Sequence, residues 1–392
     1  MRVLAVGNMY PPHHQGGYEL VWRDADALMR TRGHEVRVLT TDHLEPGVAD
    51  PDEPDVLREL RWYWRDHDFP RLPLLERVRI ERHNARVLAR ELAAFGPDVV
   101  AFWSMGGMSL SLVERALRAG RPAVCVVHDD WLLYGPEVDA WTRMLERRPL
   151  ARRIASRVLG MPSGIPHAEV SGWLFGTEFL RQRALAALAL EDTAVAYPGI
   201  PLEKFRAAPE RPWRWRLACV ARLDPRKGID AAIGALRHLP PEASLDVVGP
   251  GDPGYRAELE ALAGATRREV RFSVLEPARV PELYASADAL LFPVRWDEPF
   301  GLVPIEAMAV GRPVIATGTG GSAEYLRDGE NCLLVPRDDD GTAIAAAVTR
   351  LAGDAGLRSA LREGGFDTAQ RFPREALGEA VADLCGKAVE RG

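Results

Sequence analysis

The run ALLFPVRWDEPFGLVPIEAMAVGRPVIA, residues 289–316, spells strand, loop, helix and strand without interruption. Ala289 to Phe292 is an apolar segment of buried-strand length, and Pro293 ends it. Glu298 then falls in the loop beyond that strand's carboxyl end. Gly301 allows a sharp turn, Pro304 suits the first helical position, and Gly311 reads as the helix stop. Pro313 to Ala316 begins the next strand. This places Glu306 in the first helical turn, beside amide groups that have no helical acceptor. Two carboxylates and a set of amide donors then face the carboxyl edge of a parallel sheet, where open α/β sheets bind ligands. Each carboxylate can accept bonds from two neighbouring hydroxyls, which suits a hydroxyl-rich ligand. The plainer alternative is that Glu306 complements its helix dipole and Glu298 is solvated.

The same alternation extends outward over the whole chain, so the fold class is α/β with parallel sheets. Arg2–Val6 is a strand, followed by the loop NMYPPHHQGG and a helix from about Tyr18 to Arg32. Gly33 stops that helix and His34–Thr40 is the second strand. A long helix is expected from about Leu75 to Phe95, then strand Asp98–Phe102, helix Leu110–Ala119 and strand Ala123–Val127. Residues 129–170 show no regular pattern. PGIP, 198–201, is the best linker candidate. A second α/β series begins at Arg216–Val220, and Arg374–Val389 is an amphipathic helix. The expected domains are 1–198, joined by the terminal helix 374–392, and 199–373.

Composition excludes several classes of function. The net charge of -6 over 392 residues gives no electrostatic case for nucleic acid. No apolar run reaches the length of a membrane span, and MRVLAVG reads as a strand rather than a signal peptide. Cys125 and Cys219 sit inside apolar strands, as in a reducing cytoplasm, and no Cys/His cluster has zinc spacing. Asp50-Pro51-Asp52 has the spacing of a metal-binding Asp-X-Asp but lies in a proline-rich loop. Only Lys204, Lys227 and Lys387 are lysines, so a lysine inside a motif stands out.

The run DEPFGLVPIEAMAVGRPVIATGTGGSAEYLRDGENCLLV, 297–335, resembles the donor-site signature of GT-B glycosyltransferases of family 4. QGGYE before the first helix, VVHDDW after an N-terminal strand and VARLDPRKGID at the start of the second series agree in order. The resemblance implies two Rossmann-like domains facing across a cleft, with the C-terminal helix crossing back to the first. It also implies a retaining transfer of a hexose-type sugar from a nucleotide-diphosphate donor to an acceptor hydroxyl, by front-face displacement and without a metal or cofactor. The co-substrate expected is a UDP- or GDP-sugar. The acceptor is a hydroxyl-bearing small molecule, glycan or lipid-linked group. The protein would be cytoplasmic, with peripheral contact at the inner membrane face as one option.

What the resemblance implies for single residues is as follows. Glu298 accepts from hydroxyls of the donor sugar and Glu306 holds the ribose. Phe300, Gly301, Leu302 and Val303 line the sugar and phosphates, largely through backbone amides. Gly249 belongs to the same donor site, and the base meets backbone near Val274 and Leu275. Arg222 and Lys227 stabilise the charge growing on the departing diphosphate. Such cations favour the transition state over the ground state. As loop charges they would otherwise be solvated. Gly16 and Gly17 precede a helix, so their amides can meet a phosphate; alternatively they form a flexible loop. His128 would contact the sugar near its reacting carbon, with Asp129 or Asp130 orienting the ring. His13 and His14 are expected to be solvated.

This chain departs from relatives in reading YPGIP at the linker and in carrying Tyr134 where some have cysteine. In LRELRWYWRDHDF, 57–69, the alternation of Leu60, Trp62 and Trp64 predicts an aromatic strand, against a membrane- or sugar-facing patch. Two other readings remain: a sugar-nucleotide epimerase of the same fold, and a silent partner subunit. An epimerase would need acid and base groups at the sugar's C2. Silence would be expected to remove the cations or glutamates, and all are present.

Overall fold

Short apolar runs separated by amphipathic helices assemble two parallel sheets in the computed structural model, which describes residues 1–14, 16–64, 69–145, 148–158 and 160–392. The chain forms two compact units, 1–197 with 375–392, and 198–374.

The first unit holds strands β1 (Arg2–Val6), β2 (Glu35–Thr41), β3 (Val56–Leu60), β4 (Val99–Phe102), β5 (Ala123–Val127), β6 (Gly172–Phe175) and β7 (Thr193–Val195). Their order is β3-β2-β1-β4-β5-β6-β7. The central strands β1, β4 and β5 are buried along nearly their whole length, as expected for a sheet covered on both faces. Helix Leu74–Phe95 ends where Gly96 takes a left-handed conformation (φ 57°). The terminal helix Arg374–Arg391 belongs to this unit and buries Leu377, Val381, Cys385 and Ala388. Gly378 lies against Leu28 and Ala25 with no space for a Cβ.

The second unit holds β8 (Arg216–Val220), β9 (Ser244–Val248), β10 (Glu269–Ser273), β11 (Ala289–Phe292), β12 (Val314–Ala316) and β13 (Leu333–Leu334), ordered β10-β9-β8-β11-β12-β13. The chain direction across the sheet reverses between β8 and β11. Open sheets of this kind bind ligands at that reversal, outside the carboxyl ends of the strands.

Three expectations fail locally. Residues 129–170 are largely helical, with Trp131–Val138, Thr142–Leu145 and Pro149–Arg157. Their order comes from long-range anchors: Trp131 and Trp141 are buried, and the Asp139 carboxylate accepts from the amides of Leu110, Trp141 and Thr142. Strand β6, helix Glu178–Ala187 and strand β7 were not foreseen. The aromatic strand is also shorter than expected. β3 ends at Leu60, and Trp62 and Trp64 lie beyond it, stacked at 4.9 Å. Residues 65–68 of that patch, Gln15 of the first loop, and 146 and 147 of the basic stretch lie outside the described residues.

Candidate functional site

The two strands flanking the reversal in the second unit carry the sequence-predicted cations and Glu298 in their following loops. After β8 the chain makes a short turn, Pro225–Lys227, capped by Asp224, whose Oδ1 accepts from the Arg226 amide at 2.9 Å. Gly228 follows at φ 65°, and a Cβ there would fall 1.9 Å from the carbonyl oxygen of Pro293. Only glycine lets the β8 loop close on the β11 loop this tightly. That closeness delivers Lys227 to Glu298. Its Nζ donates to Glu298 Oε2 at 2.6 Å, and Trp296 Nε1 donates to the same oxygen at 2.8 Å. Among the described residues Oε1 has no partner. Lys227 Nζ also lies 5.1 Å from the Trp296 ring centre, and the Arg226 guanidinium carbon 4.7 Å.

Arg222 donates to Asp224 Oδ2 at 3.3 Å. Hydrogen bonding by Arg226, with the charges of Arg226 and Arg222, holds the Asp224 carboxyl well below the usual range despite its burial. Gly249 ends β9 at φ 152°, where a Cβ would strike the Ala221 carbonyl beside Arg222. Leu275 lies half-buried in the loop after β10, and Val274 is exposed.

The helix after Glu298 runs Leu302–Val310 and is capped by Gly301 at φ 86°. This corrects two positions. Pro304 is the third helical residue rather than the first, so Leu302 and Val303 supply the opening amides and Pro304 supplies none. Glu306 is the fifth residue, in the second turn, and is held by another partner: Tyr284 Oη donates to its Oε2 at 2.7 Å. Phe300 is buried against Tyr325 and Phe372, and Tyr325 Oη donates to the Gly301 carbonyl at 2.6 Å. Glu298 is fixed from behind by Gly320 and Gly321: a Cβ on Gly320 would fall 2.6 Å from the Glu298 carbonyl oxygen, which accepts from the Gly321 amide at 2.7 Å. Trp296, Tyr284, Asp224 and Gly320 were absent from the sequence-based set. Of these, the TGTGG run after β12 carried a visible signal, since clustered glycines mark close backbone approach.

Burial raises the Glu306 carboxyl from 4.5 to about 7, partly offset by the Tyr284 bond. Below pH 4.5 both folded and unfolded forms keep the proton. Between 4.5 and 7 the unfolded chain loses a proton that the folded chain keeps, so stability falls as pH rises through this window. Glu306→Gln cannot ionise, and its amide oxygen still accepts from Tyr284. It is expected to raise the melting temperature relative to the parent at alkaline pH, by roughly 2–4 °C per kcal/mol relieved, and to change it little in acid. An equal difference at both pH values, read by thermal denaturation, would show that Glu306 does not titrate.

In the first unit Gly16 caps helix Gly17–Thr31, and its amide donates to Glu19 Oε2 at 3.1 Å. An anion at this turn would therefore compete with a carboxylate already in place. His13 is buried, contrary to expectation: its Nδ1 accepts from the Glu45 amide at 3.1 Å and its Nε2 lies 3.3 Å from Asp50. Asp50 also accepts from Arg58 at 2.7 Å, and no cluster able to hold a metal occurs among the described residues.

His128 follows β5, stacked on Tyr18 with ring centres 5.2 Å apart. Burial lowers its pKa to about 3, so the imidazole is neutral. Its Nε2 is buried without a hydrogen-bond partner. Neither aspartate orients it, which corrects the expectation. Asp129 accepts from the Trp131 amide and the Tyr134 hydroxyl, and Asp130 pairs with Arg183 at 3.3 Å.

Residues 203–368 match the family described as glycosyl transferases group 1, and residues 15–204 match glycosyltransferase family 4. The sucrose-phosphate synthase of Thermosynechococcus elongatus shares the fold over 100% of both chains, with a TM-score of 0.76 at 19% identity. Anabaena HepE in complex with UDP and glucose does so over 98% of this chain and 99% of its own, with a TM-score of 0.71 at 21% identity. Fold and sequence therefore define an α/β protein of GT-B type.

The chain belongs to the family 4 glycosyltransferases. Among its relatives, a D-inositol 3-phosphate glycosyltransferase of Xylanimonas cellulosilytica is 36% identical over 170 residues, 42% of this chain and 40% of the relative. A GDP-mannose-dependent alpha-(1-6)-phosphatidylinositol monomannoside mannosyltransferase of Mycolicibacterium smegmatis is 28% identical over 88% of this chain and 87% of its own. The chain spans less than half the length of the first of these relatives.

Proposed function

We propose that this protein transfers a hexose-type sugar from a nucleoside-diphosphate donor to an acceptor hydroxyl, retaining the anomeric configuration and using no metal or cofactor. The observation that carries the reading is the Lys227–Glu298 pair at the reversal of the second sheet, with Arg222 in the same loop as Lys227. A cation and a carboxylate side by side suit a ligand that is anionic at one end and hydroxylated at the other. In this reading Glu298 Oε1 grips a sugar hydroxyl, Glu306 the ribose, and Lys227 and Arg222 the diphosphate. Gly249, Leu275 and the 300–303 backbone complete the donor contacts. In the first unit, His128, neutral and with an unpartnered Nε2, and the Gly16–Gly17 amides, of which Gly16 already donates to Glu19, are the candidate ligand-binding groups.

The bond between the anomeric carbon and the diphosphate oxygen breaks while the acceptor oxygen bonds to that carbon from the same face. The acceptor proton passes to the departing oxygen. Lys227 and Arg222 stabilise the negative charge left there, so no side chain need act as a general base. The names of the relatives favour a UDP- or GDP-sugar donor and leave inositol-type or lipid-linked acceptors as the first to try. We place the protein in the cytoplasm, in keeping with four free buried cysteines and no described helix long and apolar enough to cross a membrane.

A thermal-shift panel of UDP, GDP, ADP and TDP in EDTA tests the reading. A nucleotide at 100 times its dissociation constant should stabilise by about 2.7 kcal/mol. Stabilisation that appears only when Mg²⁺ or Mn²⁺ is added would contradict the metal-free account, and no stabilisation by any nucleotide would contradict the donor site.

A further inference from the structure

Tryptophan serves two purposes in this chain. Trp103, Trp131 and Trp173 are fully buried, and their indole N–H groups have no partner among the described residues. They act as apolar bulk. Trp296 is half-buried in the loop after β11, and its N–H is spent on Glu298 Oε2. The same oxygen accepts from Lys227 Nζ. A glutamate's terminal torsion is soft and nearly two-fold, so either oxygen could otherwise turn toward a ligand. Two donors, 2.6 and 2.8 Å from one oxygen, remove that freedom and leave Oε1 as the acceptor with no partner among the described residues.

The face of the indole is used as well as its edge. Lys227 Nζ and the Arg226 guanidinium carbon lie 5.1 and 4.7 Å from the ring centre, so two adjacent cations share one electron-rich surface. Arg226 is tied to Asp224, with Nη2 donating to Oδ2 at 2.6 Å. The loop backbone is held by bonds that do not involve the ring. The Arg295 amide donates to the Arg226 carbonyl at 2.7 Å, and its side chain pairs with Asp230 at 2.7 Å. Thr319 Oγ1 donates to the Trp296 carbonyl at 2.6 Å, and Arg337 reaches the Arg295 carbonyl at 2.6 Å and Asp297 at 3.0 Å. The ring is therefore a template laid on a loop that is already fixed.

We propose that Trp296 is a positioning residue for the donor sugar. Its N–H, together with Lys227, pins one Glu298 oxygen so that Oε1 is presented to a sugar hydroxyl, while its ring face seats the Lys227 ammonium. The proposal rests on the donor-site reading and adds to it a residue that acts through Glu298 and Lys227 rather than by touching the ligand.

Calorimetry with UDP-glucose and UDP, or with GDP-mannose and GDP, tests it and needs no acceptor. Trp296→Phe keeps a ring and removes the N–H. It is expected to lower affinity for the nucleotide sugar by roughly tenfold, the scale for one hydrogen bond to a charged group. Affinity for the diphosphate and the melting temperature should stay close to parental. In a Glu298→Ala background the same substitution should cost little further, because the group it acts through is gone. Trp296→Leu removes the ring too and should also weaken the diphosphate, by roughly threefold or more. Parental nucleotide-sugar affinity in Trp296→Phe, equal losses for nucleotide sugar and diphosphate, or an undiminished loss without Glu298 would overturn the proposal and leave the donor site standing. So would parental diphosphate affinity in Trp296→Leu, or losses of affinity that only track a falling melting temperature. A parent that binds neither pair would overturn the donor-site reading, and this proposal with it.

Discussion

Lys227→Ala is expected to lower turnover by roughly 10² or more, the scale for losing one preorganised group that stabilises developing charge. The geometry explains why no neighbour substitutes. Gly228 wedges the lysine loop against Pro293, so the ammonium arrives at Glu298 from a backbone that cannot shift without a clash. Arg222, already held by Asp224, reaches the site from the same loop, and Arg222→Ala should show a loss of similar size. Lys227→Ala also strips a largely buried carboxylate of its cation, which costs about 1–3 kcal/mol of stability. The double variant Lys227→Ala/Glu298→Gln removes that stranded charge. It should recover the melting temperature without recovering turnover. Parental turnover in either single cation variant would take that residue out of the mechanism.

The two glutamates should fail in different ways. Glu298→Gln keeps an acceptor but loses charge-assisted strength, worth about 1.5–3 kcal/mol per bond to a charged group, and this includes its bond to Lys227. It is expected to reduce turnover of the intact nucleotide sugar and to leave affinity for the sugar-free diphosphate nearly unchanged. Glu306→Gln should weaken the diphosphate itself, because the ribose hydroxyls remain in it. The bond from Tyr284 occupies one Glu306 oxygen and leaves the other as the acceptor for ribose. Calorimetry with the diphosphate and kinetics with the donor separate the two. Equal losses of diphosphate affinity would mean that the carboxylates shape the loop between them rather than grip separate rings.

Much of this site was legible because its parts are local. Strand, proline, Gly301 and Gly311 mark the loop-helix unit within one continuous run, and β8 to Lys227 is another such run. What sequence could not give was the contact between the two runs. The Lys227–Glu298 ion pair spans 71 positions and depends on Gly228 meeting a carbonyl in the other loop. The start of helix Leu302–Val310 was misplaced because proline is tolerated throughout the first turn, and Pro304 alone does not say which position it fills. His128 was found by its place at a strand end, but its lack of an aspartate partner was not. Asp129 and Asp130 are adjacent in sequence, yet the Tyr134 hydroxyl and Arg183 draw them elsewhere. The helices between 131 and 157 escaped for a similar reason: their order rests on buried tryptophans and Asp139, not on a clean helical period.

The most direct test of the proposed reaction is the anomeric configuration of its product. With a UDP- or GDP-sugar chosen from the nucleotide panel, and in the presence of EDTA, proton NMR can follow the anomeric signal as diphosphate is released. The account predicts that an α-linked donor first yields the α-linked product, and that Lys227→Ala slows its appearance. A β-linked product formed first would contradict the proposed front-face displacement.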